Sequence, residues 1–149
     1  VDRVYILGGR NSVPTEVENA INNTGGGTNP ISNKREAIVN LAMKQLGKKY
    51  VYGTMGPNTF DCSGLVYYVY KNAINVTVPR TAKSQGYWGT SISKSNLKPG
   101  DILYWNSPYD HVAIYIGDNK IIHAPEPGKN VTIVNIYKNP TSCRRFIND

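Results

Sequence analysis

The sequence predicts an α+β domain in which helices come first and an antiparallel sheet follows. Between residues 34 and 88 apolar side chains recur at helical spacing, whereas beyond residue 101 the apolar runs are short, rich in Val, Ile and Tyr, and separated by turn residues. Strands do not alternate with helices, so we expect no parallel crossover units. A chain of 149 residues with 40% hydrophobic and 18% charged residues is long enough to bury a core of this kind.

The first part of the chain is predicted to be the end of a separate unit. Val4–Leu7 have the pattern of a strand, and a short helix with Val13 and Val17 on its apolar face follows. One strand and one helix cannot enclose a core, which leaves two interpretations: a piece of a larger module, or two elements that dock on the main domain. The run Arg3–Gly9, followed by Val13 and Val17, resembles the end of a type 2 cell-wall-binding repeat. We therefore expect residues 1–22 to be the tail of such a repeat.

The composition changes at residues 23–33, which are rich in Gly, Asn and Thr and are predicted to be a linker. The main domain is then expected to span residues 34–149. Its first helix is predicted from Lys34 to Leu46, because Asn33 and Glu36 have the spacing of a capping box and Gly47 follows the last apolar position.

Two further helices and five strands are predicted in the main domain. The second helix begins at Cys62, with Asp61 as its cap, and ends near Asn72. A third, short helix is expected to begin at Pro79–Ala82 and to carry Tyr87 and Trp88. The strands form a meander with a turn at residues 117–120, and they are predicted at Ile102–Trp105, His111–Ile116, Lys120–Ala124, Val131–Val134 and Cys143–Ile147.

The net charge of +7 indicates an anionic partner without identifying it. The Lys and Arg residues are scattered, and neither a basic helical stripe nor a zinc-finger or RNA-binding motif is present, so we expect no nucleic-acid partner. No apolar run is long enough to span a membrane, and we expect no membrane insertion. A dispersed basic surface suits a protein that works in an anionic matrix such as the polymers of a bacterial wall. The alternative is a solvated surface without a specific partner.

Cys62 is the candidate nucleophile. Free backbone N–H groups and the positive end of the helix dipole favour a thiolate at the first turn of a helix. The alternative is a small buried residue at a helix start. The other cysteine, Cys143, is predicted to be a strand residue of low reactivity that does not form a disulfide with Cys62, and the two cysteines have no metal-type spacing.

The two histidines of the chain, His111 and His123, fall in one predicted hairpin. A cysteine at a helix start, a histidine on a strand and a third polar group are the parts of a thiolate–imidazolium pair, with His111 as the base and His123 fixing its tautomer. Structural histidines near strand ends are the alternative. Zinc held by both histidines and Asp110 is another, but the spacing matches no zinc signature, so we expect neither a metal nor another cofactor.

The hairpin contains a geometric difficulty. With a two-residue turn at Asp118 and Asn119, His123 would pair with Ile114, and His111 would then lie on the opposite face of the sheet. One extra residue in one strand would bring both histidines to the same face. The sequence therefore predicts a β-bulge or an odd-length loop in this hairpin.

Six short motifs occur in an order that resembles the NlpC-type cell-wall cysteine peptidases. The resemblance spans about residues 34–149, and the motifs read Tyr50-x-Tyr52-Gly53, Asp61-Cys62-Ser63-Gly64-Leu65-Val66, Pro79-Arg80-Thr81-Ala82 with Gln85, Leu97-Lys98-Pro99-Gly100-Asp101, His111-Val112-Ala113-Ile114-Tyr115-Ile116-Gly117 and Ile122-His123-Ala124. The resemblance implies a papain-like α+β fold with helices packed on a five- to six-stranded antiparallel sheet. One departure is Thr54, where many members have a second glycine.

The resemblance also implies an activity and a set of site residues. By position, the catalytic residues are Cys62, His111 and His123. The substrate-binding residues are Tyr50, which matches a tyrosine at the reacting end of the substrate, together with Asp61, Ser63 and Arg80, which match residues that hold the amine of a stem peptide or line its groove.

The implied function is a peptidoglycan D,L-endopeptidase that cleaves stem peptides between D-γ-glutamate and a diamino acid. The alternatives are an N-acetylmuramoyl-L-alanine amidase on the same fold and a catalytically silent wall-binding module. A secreted protein of the bacterial cell wall is expected, and a monomer is the default. The sequence does not identify the diamino acid or distinguish a free stem peptide from cross-linked wall.

Overall fold

The computed structural model describes residues 33–105 and 111–148. The predicted wall-binding tail and nearly all of the linker, as well as Asp110, lie outside the described residues. Within them the main domain has three α-helices, α1 (Asn33–Met43), α2 (Cys62–Ile74) and α3 (Ala82–Gly86), and a single 3₁₀ turn at Lys94–Asn96. No helix in this part of the chain is both long enough and apolar enough to cross a membrane.

The helices α1 and α2 begin close to their predicted positions. The side chain of Asp61 accepts a hydrogen bond of 2.6 Å from the backbone N–H of Gly64, so it caps α2 as predicted. The helix ends where Asn75 adopts a left-handed conformation with φ of 57°. The prediction for α1 extended too far, because turns follow Met43 before Gly47 reverses the chain with φ of 86°.

The third helix is shorter than predicted. The Thr81 hydroxyl caps it by accepting a hydrogen bond of 3.2 Å from the N–H of Ser84, so residues 79–81 precede the helix instead of starting it. It ends at Gly86, and therefore Tyr87 and Trp88 follow the helix. A cap made by a Thr side chain decides the starting residue, and apolar spacing alone does not reveal it.

A six-stranded antiparallel sheet lies beside the helices. A two-residue parallel ladder of β1 (Lys49–Tyr50) and β2 (Thr59–Phe60) is separate from it. The strands of the sheet are β3 (Thr90–Ile92), β4 (Ile102–Trp105), β5 (His111–Gly117), β6 (Lys120–His123), β7 (Thr132–Asn135) and β8 (Ser142–Arg145). Their order is β3-β8-β4-β5-β6-β7.

All five predicted strands are present, but the meander ends at β7. The last strand, β8, returns to the other side of β4 and pairs with it from Ile102↔Arg144 to Tyr104↔Ser142. On its free side β8 pairs with β3, a strand that was not predicted. The three residues of β3 do not alternate between apolar and polar side chains. They form a strand because they pair with the edge of β8.

The predicted irregularity in the histidine hairpin is confirmed as a β-bulge. Gly117 pairs with Lys120, and the next pair is Tyr115 with Ile121, so Ile116 is the extra residue of β5. Asp118 and Asn119 form the turn with φ of 54° and 62°. The shifted register places Ala113 opposite His123, and because His111 is two residues from Ala113, both histidines lie on one face.

The sheet is covered on both faces. Apolar side chains of β4 alternate, so that Ile102 and Tyr104 join the core with the helices whereas Leu103 and Trp105 join a second cluster on the other face. The larger core also contains Ile38, Leu65, Val69, Val112, Ile114 and Ile122. The position of β5 between these two cores fixes the start of the strand, where His111 lies.

Candidate active site

Cys62 is the first residue of α2, and Asp61 holds the loop in front of it. The Asp61 carboxylate accepts hydrogen bonds from the N–H groups of Gly53 (2.9 Å) and Gly64 (2.6 Å). The N–H of Asp61 in turn donates to the carbonyl of Thr54 over 2.9 Å. The position of the thiol is therefore fixed by a cap and by the preceding loop.

The thiol of Cys62 lies against the start of β5. Burial raises its pKa above the ordinary value, and the charge of Asp61 acts in the same direction. Hydrogen bonds from the backbone of Val112, Ser63 and Cys62 itself act in the opposite direction. The net direction differs from the thiolate expected for a helix start, because removal from water outweighs these backbone hydrogen bonds. The hydrogen bond from Val112 places the sulfur beside the residue that follows His111.

The two histidines are in direct contact. Nε2 of His111 and Nδ1 of His123 are 2.8 Å apart, and the ring centroids are separated by 5.1 Å. Burial lowers the pKa of each imidazole to about 4, and for His111 the neighbouring charge of His123 adds to this effect. Both rings are therefore neutral at pH 7, and their shared hydrogen bond leaves Nδ1 of His111 as its remaining ring nitrogen.

Arg80, Asp61 and Ser63 form one hydrogen-bonded cluster. The Arg80 guanidinium binds both carboxylate oxygens of Asp61, with Nη1–Oδ1 of 3.1 Å and Nη2–Oδ2 of 3.0 Å. Its Nη1 also donates to Ser63 Oγ over 2.9 Å. The structure thus brings together three of the four predicted substrate-binding residues next to Cys62.

Tyr50, the fourth predicted binding residue, approaches the same place from β1. Burial raises its pKa, and the nearby groups of Cys62 and Asp61 raise it further. The parallel ladder of β1 with β2 carries Tyr50 there, because Tyr50 pairs with Phe60 just ahead of Asp61. The neighbouring Tyr52 is 85% exposed, and its charge also raises the pKa of Tyr50.

Gln85 supports this cluster from α3, a role that the sequence does not predict. Its side-chain amide is fully buried and donates to the carbonyl of Ser63 over 3.0 Å and to that of Pro79 over 2.8 Å. These two bonds tie the start of α2 to the segment that carries Arg80. The motif from Pro79 to Gln85 therefore positions Arg80 for its ion pair.

An aromatic stack that was not predicted from the sequence covers the histidine pair. Trp105 lies 5.8 Å from His111, and Tyr137 lies 6.1 Å from His123, measured between ring centroids. Trp105 pairs with His111 across β4 and β5, so its contact follows from register. Tyr137 lies in a loop after β7, and no periodic pattern signals its position.

A cavity of about 500 Å³ adjoins His123 on the side of β7. It is lined by Gly47, His123, Pro125, Lys129, Asn130, Val131, Thr132 and Val134. Within the described residues, no three His, Cys, Asp or Glu side chains come together as a metal site. Both cysteines are free thiols.

Comparison with known proteins identifies relatives of this domain. The family model described as the NlpC/P60 family matches residues 47–147. Murein DD-endopeptidase MepH of Escherichia coli (strain K12) is 37% identical over 108 residues, which are 68% of this chain and 40% of MepH. Protein P54 of Enterococcus faecium is 43% identical over 99 residues, 65% of this chain and 19% of P54. The chain thus spans less than half the length of each of these relatives.

Solved structures agree with this assignment. The NlpC/p60 domain of the peptidoglycan hydrolase SagA superposes with a TM-score of 0.69 at 38% identity, covering 74% of this chain and 97% of that domain. The peptidoglycan hydrolase RipB of Mycobacterium tuberculosis gives a TM-score of 0.70 at 26% identity and covers 87% of this chain and 75% of RipB. These likenesses confirm the fold that the motifs implied.

Proposed function

Because the chain belongs to the NlpC/P60 family, we propose that its main domain is a cysteine peptidase that cleaves the stem peptide of peptidoglycan between D-γ-glutamate and the diamino acid. The observation that carries the proposal is the hydrogen bond of 2.8 Å between His111 and His123 at the start of the strand beside Cys62. The names of relatives support the reaction class, since they include endopeptidases and peptidoglycan hydrolases.

The proposed reaction is an acyl transfer in two steps. Nδ1 of His111 takes the proton of the Cys62 thiol as the sulfur attacks the γ-glutamyl carbonyl carbon, and the carbonyl π electrons move to oxygen. The backbone N–H of Cys62, at the positive end of the helix dipole, is the proposed donor to this oxyanion. The C–N bond then breaks, His111 returns the proton to the leaving amine, and a thioester remains. Water, activated by His111, releases the glutamyl acid and restores the thiol.

Before substrate binds, Cys62 is proposed to be a neutral thiol and His111 a neutral imidazole. Burial raises the pKa of Cys62 and lowers that of His111, so both favour a thiol and an imidazole over an ion pair before substrate binds. Proton transfer is then concerted with attack, as in general-base catalysis. His123 accepts the Nε2–H of His111 and stabilises the imidazolium that forms.

Asp61, Ser63, Arg80 and Tyr50 are the proposed contacts for the non-leaving part of the stem peptide. Arg80 neutralises Asp61, so this surface offers both acceptors and donors in a rigid arrangement. Such a surface suits the amine and amide groups of a peptide end. The Tyr50 hydroxyl is the proposed contact for the reacting end of the same substrate.

We also propose that the domain acts in the bacterial cell wall, as a monomer and without a cofactor or metal. A domain that acts on peptidoglycan works outside the cell, and the net charge of +7 favours retention among anionic wall polymers. The chemistry described uses only the side chains of the protein and water, so no cofactor or metal is required. A monomer is sufficient, because all the proposed site residues come from one chain.

Digestion of purified peptidoglycan followed by mass spectrometry tests the proposal. Products with a new glutamate carboxyl and a new amine on the diamino acid are expected, whereas release of whole stem peptides from the glycan would establish the amidase alternative. Cleavage of a D,D-peptide bond, the reaction class in the name of the relative murein DD-endopeptidase MepH, would also overturn the assigned bond. Cys62→Ala is expected to abolish digestion, and Cys143→Ala is the matched control that keeps it.

Chemical labelling distinguishes an enzyme from a silent wall-binding module. In the Cys143→Ala variant only the thiol of Cys62 remains, and modification by iodoacetamide at pH 7 should inactivate the protein at the same rate at which it labels the sulfur. If iodoacetamide does not label Cys62, and the protein binds peptidoglycan without releasing any fragment, the domain is a silent wall-binding module.

A further inference from the structure

The protein itself occupies the acceptor positions of the Asp61 carboxylate. Oδ1 accepts hydrogen bonds from the N–H of Gly64 over 2.6 Å and from Nη1 of Arg80 over 3.1 Å. Oδ2 accepts from the N–H of Gly53 over 2.9 Å and from Nη2 of Arg80 over 3.0 Å. An ionised carboxylate has about four lone-pair sites, two on each oxygen. These four donors fill them, so Asp61 has no acceptor position left for a positively charged group of a substrate.

The charge that this cluster presents to solvent is positive. The side chain of Arg80 is 32% exposed, whereas that of Asp61 is 10% exposed. Asp61 raises the pKa of Tyr50 and Arg80 lowers it, and Asp61 is the only carboxylate among the described residues that acts on Tyr50 in this way. An incoming group therefore meets a guanidinium beside a carboxylate that is already neutralised.

The hydrogen-bonding chemistry of Arg80 discriminates between the two forms that the nitrogen of L-alanine can take. A guanidinium only donates hydrogen bonds, and so does the ammonium group that a free amine forms at pH 7. An ammonium at this place would lose its water without gaining an acceptor, which is costly. An amide at the same nitrogen is neutral, and its carbonyl oxygen is an acceptor.

We propose that the domain acts on stem peptides whose L-alanine nitrogen is acylated, and that the ion pair of Asp61 with Arg80 rejects the free amine. The inference rests on the proposed function and narrows its substrate class. The L-alanine nitrogen is acylated where the stem peptide is joined to the lactyl group of the glycan. The domain would therefore act before any amidase reaction frees the peptide. The family resemblance implies that Asp61 and Ser63 hold an amine, and the ion pair is the reason for a different preference here.

Two tripeptides test this preference in the intact chain. The first is L-Ala-γ-D-Glu followed by the diamino acid found in the peptidoglycan digest, and the second is the same peptide with an acetyl group on the L-alanine nitrogen. At pH 6.5 the acetylated peptide should have a kcat/KM about tenfold higher, the size of one hydrogen bond to a charged group. Both peptides contain the same scissile bond, so the ratio reports only the group at the L-alanine nitrogen.

The pH dependence of this ratio identifies the rejected species. The α-amine of a peptide loses its proton at a pH of about 8, so the ratio should fall to about two or less at pH 9. The titratable and charged groups around this surface are Cys62, Tyr50, Tyr52, Asp61 and Arg80. Both peptides meet the same ionisation state of these groups, and their titration therefore cancels in the ratio.

A substitution then connects the preference to the ion pair. Arg80→Met frees two acceptor positions on Asp61 and leaves its negative charge unpaired by a guanidinium, so at pH 6.5 the free-amine peptide should be cleaved at least as fast as the acetylated one. The matched control is Lys83→Met, which removes a positive charge from an exposed position of α3 and should retain the tenfold ratio. Thermal unfolding curves show whether each variant is folded. If Arg80→Met does not fold, the pH dependence of the wild-type ratio decides.

The remaining outcomes separate this inference from the proposed function. Equal cleavage of both peptides, faster cleavage of the free-amine peptide, or a ratio that is the same at pH 6.5 and pH 9 overturns the inference while the proposed function stands. The same holds when folded Arg80→Met keeps the wild-type ratio, or when peptidoglycan is cleaved at the γ-glutamyl bond and neither tripeptide is. Failure to cleave peptidoglycan and both peptides at that bond overturns the proposed function and the inference together.

Discussion

The ring of Tyr137 stacks on the ring of Trp105, with 5.7 Å between centroids and 10° between planes. The Trp105 indole N–H also donates to the carbonyl of Lys138 over 3.0 Å, which fixes the loop that carries Tyr137. Trp105 is 4% exposed, whereas Tyr137 is 60% exposed. Tyr137 is therefore the outer member of a stack that separates the hydrogen bond between His111 and His123 from water.

Removal of this ring should change the pH dependence of catalysis. In Tyr137→Ala, water reaches the histidine pair, and the pKa of His111 should rise from about 4 toward its ordinary value of 6.5. Since the base must be unprotonated to accept the thiol proton, the acid limb of kcat/KM should move to higher pH by about one unit. Rate profiles between pH 4 and pH 8 measure this shift.

The conservative variant separates shielding from hydrogen bonding. Tyr137→Phe keeps the ring and removes only the hydroxyl, so its acid limb should coincide with that of the wild type. An unchanged acid limb in Tyr137→Ala, measured with folded protein, would mean that the stack does not control the solvation of His111.

The buried histidines should also make the domain less stable in acid. The pKa of His111 and that of His123 are about 4 in the folded chain and near 6.5 in the unfolded chain. Between these values the unfolded state binds more protons than the folded state, so the free energy of unfolding rises with pH. The contribution of the two histidines to this free energy is lost as the pH falls from 6.5 to 4. The slope is at most about 1.4 kcal/mol per pH unit for each histidine. Urea unfolding at pH 7, 6, 5 and 4.5 measures it.

A double variant supplies the reference for this measurement. His111→Gln combined with His123→Gln removes both titrating rings and keeps side chains that can form hydrogen bonds, so the slope between pH 6.5 and pH 4 should become smaller. An equal slope in the wild type and the double variant would assign the acid sensitivity to other groups.

The sequence was sufficient for those parts of the site that depend on local rules. Asp61 caps α2 because a short acidic side chain precedes an apolar helical pattern, and the structure confirms this cap. The bulge at Ile116 was also predictable, because hairpin pairing without an extra residue leaves His111 and His123 on opposite faces. In both cases a few neighbouring residues determine the geometry.

Features that depend on distant contacts were not predictable in this way. Strand β3 exists only because β8 offers a free edge, and the return of β8 to β4 is decided by the whole core. Tyr137 and Trp105 are 32 residues apart in the sequence. Their stack covers the histidines only after β7 and the following loop have folded back, so a local pattern carries no sign of it.

Asp101 should be the most sensitive charged residue outside the site. Its carboxylate is fully buried and binds Arg35 over 3.0 Å and Arg145 over 2.8 Å, and Arg35 itself is only 1% exposed. Asp101→Asn removes the buried charge that pairs with Arg35 and Arg145, which should lower the free energy of unfolding by about 3–5 kcal/mol. Urea unfolding at pH 7 measures the loss.

The control for Asp101 is an acidic residue in a turn. Asp118 lies in an exposed turn, and Asn tolerates the same positive φ, so Asp118→Asn should change the free energy of unfolding by about 0.5 kcal/mol or less. A similarly small effect of Asp101→Asn would show that the buried ion pairs do not contribute to stability.

Gly64 is predicted to be essential because α2 begins in close contact with the loop in front of it. A Cβ atom at Gly64 would lie 2.1 Å from the carbonyl oxygen of Thr54 and 2.9 Å from Oδ1 of Asp61. Gly64→Ala should therefore displace the cap and lower the free energy of unfolding by about 3 kcal/mol. It should also slow the reaction of Cys62 with iodoacetamide, which measures the effect on the thiol.

The control is Gly128→Ala. There the new Cβ meets no atom within 4 Å, and a φ of +89° adds only local strain of about 1–2 kcal/mol. Its Cys62 should react at the wild-type rate, and an equal slowing in both variants would mean that lost stability, not the displaced cap, controls the thiol.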